Sequence, residues 1–372
     1  MKYFSEIPAK LLKMVPVAAA LLLGSCSLMH DDLPDCAVAP EVCAAVNFTY
    51  DYNTEGTDLF HDHIGSVTLY VCDTDGRLIR TVEHTASAHD IHSEGWSMPL
   101  ELPAGTYLLY ASARENADGY EAAMAGAGAK FRRSACAPGT AASAITYSLD
   151  HVEGTVDHDG LPLEHLWLTR EPQTLVLPVP ETPAEGDPQP EDIVVTATVP
   201  LQRVCNNIHV DVVRADSRAS RAETISPDDY DLWIGTADGR HQLDLTARPT
   251  DGALPLTYTP HSVLPGTTQS GADCIAADFS TSRLVYNSSA STRDMLCIRD
   301  KSTGDVTAID LTSYLAQGRD AYGRGWSEQE YLDRAYDFNC TVAIDSQTSE
   351  WVYVDVHIYM LNWSKRIQNV TL

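Results

Sequence analysis

The chain has 372 residues, a formal net charge of −27 and a hydrophobic fraction of 44%. That acidity repels nucleic acid and anionic lipid headgroups, and nucleic-acid binding is excluded on this ground. The carboxylates are spread along the sequence rather than gathered into a tail, so a solvated surface accounts for them.

The N-terminus has the three-part order of a secretory signal. Lys2, Lys10 and Lys13 form a basic start, Met14 to Leu23 is apolar apart from Pro16, and Leu23-Gly24-Ser25-Cys26 closes the segment. The apolar run is shorter than the about 20 residues that span a bilayer. A cysteine directly after small residues marks the lipoprotein variant, in which the thiol carries diacylglycerol and the peptide bond before it is cut. Residues 1–25 are therefore expected to be a lipoprotein signal peptide and 26–36 a tether lipidated at Cys26. Loss of residues 1–25 removes three lysines and Glu6 and moves the net charge from −27 to −29.

Short runs of Val, Ile, Leu, Thr and Tyr follow, bounded by turn residues, and predict strands at Val67–Cys72, Arg77–Val82 and Thr106–Ala111. Ala117 to Ala144, rich in Ala and Gly and carrying Lys130, Arg132 and Arg133, reads as a surface excursion. Pro178 to Pro190 holds five prolines among acidic and small residues, which stiffens the chain and suits a linker. The expected layout is one β-sandwich domain over 37–180, a Pro-rich linker over 181–190 and a second β-sandwich over 191–372.

In the second half, strands are predicted at Ile193–Val199 and Ile208–Val213. Leu69 to Arg77 and Leu232 to Arg240 can be laid over each other without a gap, each an apolar run leading into Asp-Gly, the turn pair of a tight hairpin. Asp310 to Gln317 predicts a short helix stopped by Gly318, and Ser327-Glu328-Gln329-Glu330 is a capping box opening another helix to about Tyr336. Trp351 to Met360 alternates strictly, with Val352, Val354, Val356, Ile358 and Met360 on the face assigned to a core.

Beyond Cys26, eight of the nine cysteines remain. An even number in an exported chain permits disulfides without fixing their pairing, and Cys72 and Cys297, in apolar runs, suit buried thiols equally well. No C-x-x-C pair, phosphate loop, dinucleotide fingerprint, nucleophile elbow or H-E-x-x-H pair occurs. His61 and His63 would share a face on a strand and, with Asp58 or Asp62, could hold a metal; surface polar residues ahead of a strand are the plainer reading. No catalytic residue, cofactor or metal site is assigned.

The order of several segments resembles the FimB-type fimbrillin-associated anchor proteins, lipoproteins of Bacteroidia-type bacteria. They are Asp31-Asp32-Leu33-Pro34-Asp35-Cys36, Val46 to Asn53, Val67 to Val71, Leu102 to Tyr107, Tyr258-Thr259-Pro260 and Ser282-Arg283-Leu284. The most specific are Glu328 to Arg334 and Trp363 to Leu372. The family's usual Asn-Gly-Trp is here Leu361-Asn362-Trp363. The resemblance implies an all-β fold of two tandem transthyretin-like Greek-key sandwiches with short helical excursions. It also implies no catalysis, and a role fixing a fimbrium to the outer membrane, surface-exposed and lipid-anchored. The implied partners are fimbrial pilin subunits joined by strand addition. Stalk subunits of such fimbriae are thought to be freed by cleavage after a basic residue, and this chain has no Lys or Arg between Cys26 and Gly76. A glycan-binding surface lipoprotein and a lipid-anchored hydrolase are the competing expectations; exposed aromatic platforms and acidic residues would favour the first and a convergent polar pocket the second.

Overall fold

The computed structural model describes residues 39–85, 89–124, 129–156, 158–184, 188, 190–215, 225–236, 239–245, 254–286, 294–345, 348, 350–360 and 363–370. The fold is mostly β. The strands, numbered in chain order, make four sheets among the described residues. The largest runs β3 (Leu78–Thr85), β2 (Ser66–Cys72), β5 (Gly105–Arg114), β9 (Leu166–Thr169), β11 (Ile193–Arg203), β1 (Val42–Thr49) and β4 (Met98–Leu100), with β10 (Gln173–Leu177) also paired to β5. The second runs β16 (Ser262–Thr267), β17 (Asp273–Ser282), β12 (Cys205–Ala215), β20 (Asp337–Asp345), β21 (Trp351–Met360) and β22 (Trp363–Val370). A third contains β19 (Val306–Asp310), β18 (Met295–Asp300), β13 (Tyr230–Thr236), β15 (Leu256–Tyr258) and β8 (Thr155–Val156). The smallest is β14 (Arg240–Gln242), β7 (Thr146–Leu149) and β6 (Phe131–Arg133).

Two compact units emerge from the contacts. Residues 43–178 and 194–372 form the larger; residues up to Val42 and Val179–Ile193 form the smaller. Within the smaller unit, the Glu41 N–H donates to the Asp192 carboxylate at 3.0 Å and the Ile193 N–H to the Glu41 carbonyl at 2.8 Å. Sheet membership changes at Val204, between β11 and β12, and the third and fourth sheets each combine strands from both sides of the Pro-rich segment.

Burial explains these pairings. Every residue of β2 is buried, so the strand packs on both faces. Tyr70 and Cys72 join one continuous core with Tyr147, Leu168, Ile208, Val210, Phe279, Ile298, Phe338 and Val356. A separate aromatic nucleus stacks Phe48, Phe60 and Trp96 with ring centroids 5.7–6.1 Å apart. β12 lies between an antiparallel β17 and a parallel β20, so its alternate residues Ile208, Val210 and Val212 enter the core from the middle of a mixed sheet.

Several sequence expectations are redrawn. The Asp75-Gly76 turn closes the β2–β3 hairpin as expected: Gly76 has φ +73°, and its N–H donates to the Asp73 carbonyl at 3.0 Å. The segment ending in Gly239 does not close a hairpin. β13 pairs with β15 and β18, whereas β14 pairs with β7. Gly239 is needed there for close approach, since a Cβ would run into the Leu256 side chain; Asp238 lies outside the described residues. Gly318 does not stop its helix either. The turns continue through Arg319–Tyr322 to Gly323, whose φ of +62° ends them, while Gly318 is buried where a Cβ would strike the Tyr331 ring.

Among the described residues of 117–144, part of the stretch is packed into the body, which a surface excursion would not be. Phe131 and Ala142 are in the core. The Arg133 guanidinium lies 4.2 Å from the Tyr120 ring centroid and donates to the Tyr70 hydroxyl at 3.1 Å. Arg132 pairs with Asp150 at 2.5 Å. Emptying the Phe131 site is therefore expected to cost about 3 kcal/mol. Phe131→Ala should lower the urea midpoint and open the Arg132 and Arg133 bonds to trypsin, while the unaltered protein resists cleavage there. Early cutting of the unaltered protein at these arginines would show that the segment is not packed.

Candidate functional site

Cys26 and Cys36 lie outside the described residues. The seven described cysteines, Cys43, Cys72, Cys136, Cys205, Cys274, Cys297 and Cys340, are unpaired thiols. His61 and His63 are on the helical turn Phe60–His63, not on a strand. His61 Nδ1 lies 2.7 Å from the Ile91 carbonyl, while His63 meets the Tyr50 and Tyr336 rings at their edges.

Three of the segments that carry the family resemblance, Glu328 to Arg334, Ser282 to Leu284 and the end of Val46 to Asn53, meet in one fastening. Ser327 caps the helix Glu328–Arg334 by accepting the Glu330 N–H at 3.1 Å. Only half of the expected capping box forms, because the Glu330 carboxylate pairs with Arg334 at 3.0 Å. Asp333, one turn on from Gln329, receives Arg283 through two nitrogens at 2.6 and 2.8 Å. Gln329 donates to the same carboxylate and to the Leu284 carbonyl, both at 3.0 Å, and accepts the Tyr286 N–H at 2.8 Å. Ser282-Arg283-Leu284 is thereby riveted to the helix. Arg334 in turn lies over the Tyr52 and Trp326 rings, 4.0 and 5.1 Å from their centroids. Beside Tyr52, the buried Asn53 amide holds its own loop by donating to the Tyr50 and Thr57 carbonyls at 2.8 Å each.

Arg283 and Asp333 are 12% and 7% exposed, so each charge depends on the other. Removing one partner of such a pair costs about 3 kcal/mol, whereas replacing both by apolar groups can be close to neutral. Arg283→Met should therefore lower the unfolding free energy by roughly that amount, and adding Asp333→Leu should recover most of it. Equal losses in the single and double variants would show that the ion pair is not what holds the helix.

The C-terminal hairpin brings β22 to the edge of the second sheet, with Tyr353 opposite Val370 and Met360 opposite Trp363. Trp351–Met360 forms the strand over the expected residues, and Val354 and Val356 are in the core. The opposite face is not simply solvated, because Asp355, expected there, is fully buried. At the other edge of the sheet, β16 carries Pro265, which has no N–H to offer a further strand.

The outward face of this sheet carries a polar cluster missed in the sequence, because its members come from two strands far apart in the chain, β12 and β17. His209 on β12 donates from Nδ1 to Asp278 at 2.6 Å and meets Asp211 through Nε2 at 3.3 Å. Cys274 donates to the same Asp211 oxygen at 3.3 Å. The Asp211 carboxylate, with help from Asp278 and against partial burial, raises the imidazole pKa to about 9, so both ring nitrogens carry protons at neutral pH. Burial pushes the Asp211 carboxyl up, but hydrogen bonds from His209 and Cys274 outweigh it and leave it below the ordinary range. Burial first, then Asp211, pushes the Cys274 thiol up to about 12, which leaves it protonated and unreactive.

Because the folded state raises the His209 pKa from 6.5 to about 9, its stabilisation is complete below pH 6.5 and is lost as pH rises through 9. The stability difference between the unaltered protein and His209→Gln should be largest near pH 6 and should shrink steadily across that window. A difference that is constant over this window would show that His209 does not act as a clamped cation.

Packed sheets around a shared core, with signature residues spent on fastening, define a mostly β protein held by buried ion pairs. The chain belongs to the family of fimbrillin-A associated anchor proteins Mfa1 and Mfa2, whose model matches residues 34–369. Among solved structures it is similar to the fimbrial anchor protein Mfa2 from Porphyromonas gingivalis, at 17% identity and a TM-score of 0.55, covering 87% of this chain and 98% of that one. It is also similar to a candidate polysaccharide-binding protein from Bacteroides thetaiotaomicron, at 23% identity and a TM-score of 0.67, covering 88% and 99%. A candidate adhesin from the same species matches at 22% identity and a TM-score of 0.62, covering 90% and 100%. No curated protein matches the chain.

Proposed function

We propose that this member of the fimbrial anchor family is a lipoprotein held in the outer membrane by acyl chains on Cys26, exposed at the cell surface, and joined to pilin subunits by strand addition. The observation that carries this reading is the family match, which spans almost the whole chain after the signal segment. The absence of Lys and Arg between Cys26 and Gly76 supports retention of the lipid. The first basic residue after the tether, Arg77, is held in the β2–β3 turn: its N–H donates to the Asp73 carboxylate at 2.8 Å and its guanidinium to the Gly139 carbonyl at 3.3 Å. A protease needs that bond extended.

The same reading includes two tandem transthyretin-like Greek-key sandwiches, over 37–180 and 191–372 with 181–190 between them. The six-stranded sheet, built from strands after Val204, supports the second sandwich, while β11 joins the eight-stranded sheet and carries the first one past the Pro-rich segment. β22, an edge strand, is the place where a pilin strand would add, since backbone pairing supplies affinity and alternate side chains supply selectivity. The anchor reading is favoured over glycan capture by the tryptophans: Trp96, Trp167, Trp233, Trp326 and Trp351 are all buried or half-buried, so none offers an exposed platform.

Two variants separate anchoring from docking. Cys26→Ala should abolish incorporation of labelled palmitate and move the protein out of the membrane fraction, because about 0.8 kcal/mol is lost per CH₂ no longer buried in lipid. Deleting residues 367–372 should leave a folded, lipidated, surface-exposed protein and release fimbriae into the medium. A Cys26→Ala protein still in the membrane would overturn the lipid anchor. Normally attached fimbriae on cells carrying the folded truncation would overturn docking at β22.

A further inference from the structure

Three adjoining cavities of about 520, 460 and 230 Å³ meet along β20, the smallest turning round the end of the sheet past Phe338 and Val356. All three are lined by Asn339 on β20. The largest and the second also share His209, the largest and the smallest share His357, and Asp278 lines the second. Together they follow β20 from Asp337 to Thr341, a length that matches about five residues of extended chain.

The charge of this trough is one-sided. Asp211, Asp278, Asp337 and Glu55 line it, and among the described residues no Lys or Arg does. Its single fixed cation, His209, is already engaged by Asp211 and Asp278. Of the remaining imidazoles, His165 is already paired with Glu115 at 2.7 Å, and burial lowers the pKa of both His261 and His357. Rings of Tyr322, Tyr336 and Tyr353 stand along the walls. Tyr336 already carries a guanidinium on its ring, with Arg203 4.4 Å from the centroid. Carboxylates beside tyrosine faces, in a concave and partly desolvated trough, recognise guanidinium and ammonium groups. An acidic ligand is repelled there.

We infer that the trough centred on Asn339 is a docking groove for an extended, Lys- or Arg-bearing segment of a partner protein. It is a sheet face, distinct from the β22 edge, and it does not depend on the lipid anchor. Bound along β20, such a segment places basic side chains toward Asp211 and Asp278 at one end and toward Asp337 and Glu55 at the other. A protein of net charge −27 attracts any polycation diffusely, so the groove is distinguished by location rather than by attraction alone.

The test is calorimetric titration of the full chain in detergent with hexalysine, hexaglutamate and maltohexaose. Hexalysine should bind and the other two should not. Neutralising the groove with Asp211→Asn, Asp278→Asn and Asp337→Asn together should weaken hexalysine about tenfold. Neutralising the exposed carboxylates Asp75→Asn, Glu94→Gln and Glu101→Gln in the N-terminal half should change it less than about twofold. Because the first set disturbs His209, Asn339→Trp provides an independent block. It fills the junction of the cavities without changing charge, and should abolish binding while circular dichroism stays native. Equal losses from the two neutralised sets, unaltered binding by folded Asn339→Trp, or preference for maltohexaose would each overturn the inference.

Discussion

The architecture depends on one passage of the chain. β11 ends at Arg203, Val204 intervenes, and β12 begins at Cys205, so two large sheets are covalently joined with a single residue between them. No slack remains for the sheets to separate, and their inner faces must share a core. Val204 is fully buried and its N–H donates to the Leu166 carbonyl at 2.9 Å. Arg203, almost fully buried, donates from Nε to the Cys205 carbonyl at 3.0 Å and lies against the rings of Tyr336 and Trp167. A guanidinium tolerates this site because it is weakly hydrated and stacks on aromatic faces, which an ammonium does less well.

The other buried charges repeat that pattern of fastening. Arg114 joins Glu164 and also donates to the Phe131 carbonyl at 2.8 Å, drawing the 117–144 segment onto β5. Arg283 and Asp333 close the helix Glu328–Arg334 over the end of β17. Such pairs contribute little net stability, since desolvation offsets most of their attraction. Their consequence is geometric: any arrangement that separates the partners leaves a buried charge exposed to an apolar core. The segments that identify the family are therefore tied to its shape. In Glu328 to Arg334 the polar residues Gln329, Glu330, Asp333 and Arg334 all hold partners fixed by the fold.

Function then falls to what these fasteners leave free. An anchor must resist pulling, and a core that continues across sheets spreads a load over many strands rather than one hinge. The two proposed docking surfaces, the β22 edge and the acidic trough along β20, lie on the same sheet, and that sheet is joined to the first at Val204. The unpaired thiols fit this division. Cys72, Cys205, Cys274 and Cys340 are buried, and burial raises the pKa of each, so they serve as small core residues in place of cross-links.

Local pattern determined a good deal by itself. Alternation placed β21 at Trp351–Met360, β-branched runs placed β2 and β12, and Ser327 marked the start of its helix, because each is encoded within a few neighbouring residues. The order of short segments along the chain was enough for the family. Tertiary structure alone decided which strands pair. Leu232 to Arg240 has the local form of a hairpin, yet β13 and β14 go to different sheets, since β14 is captured by β7 from far upstream. Arg133 looked solvated until Tyr70 and Tyr120 surrounded it, and alternation set Asp355 on the face opposite the valines without showing that it too is buried. Periodicity states which residues share a face of one strand. What covers that face is set by contacts between residues distant in sequence, so the His209 cluster and the groove beside it exist only once β12, β17 and β20 lie side by side.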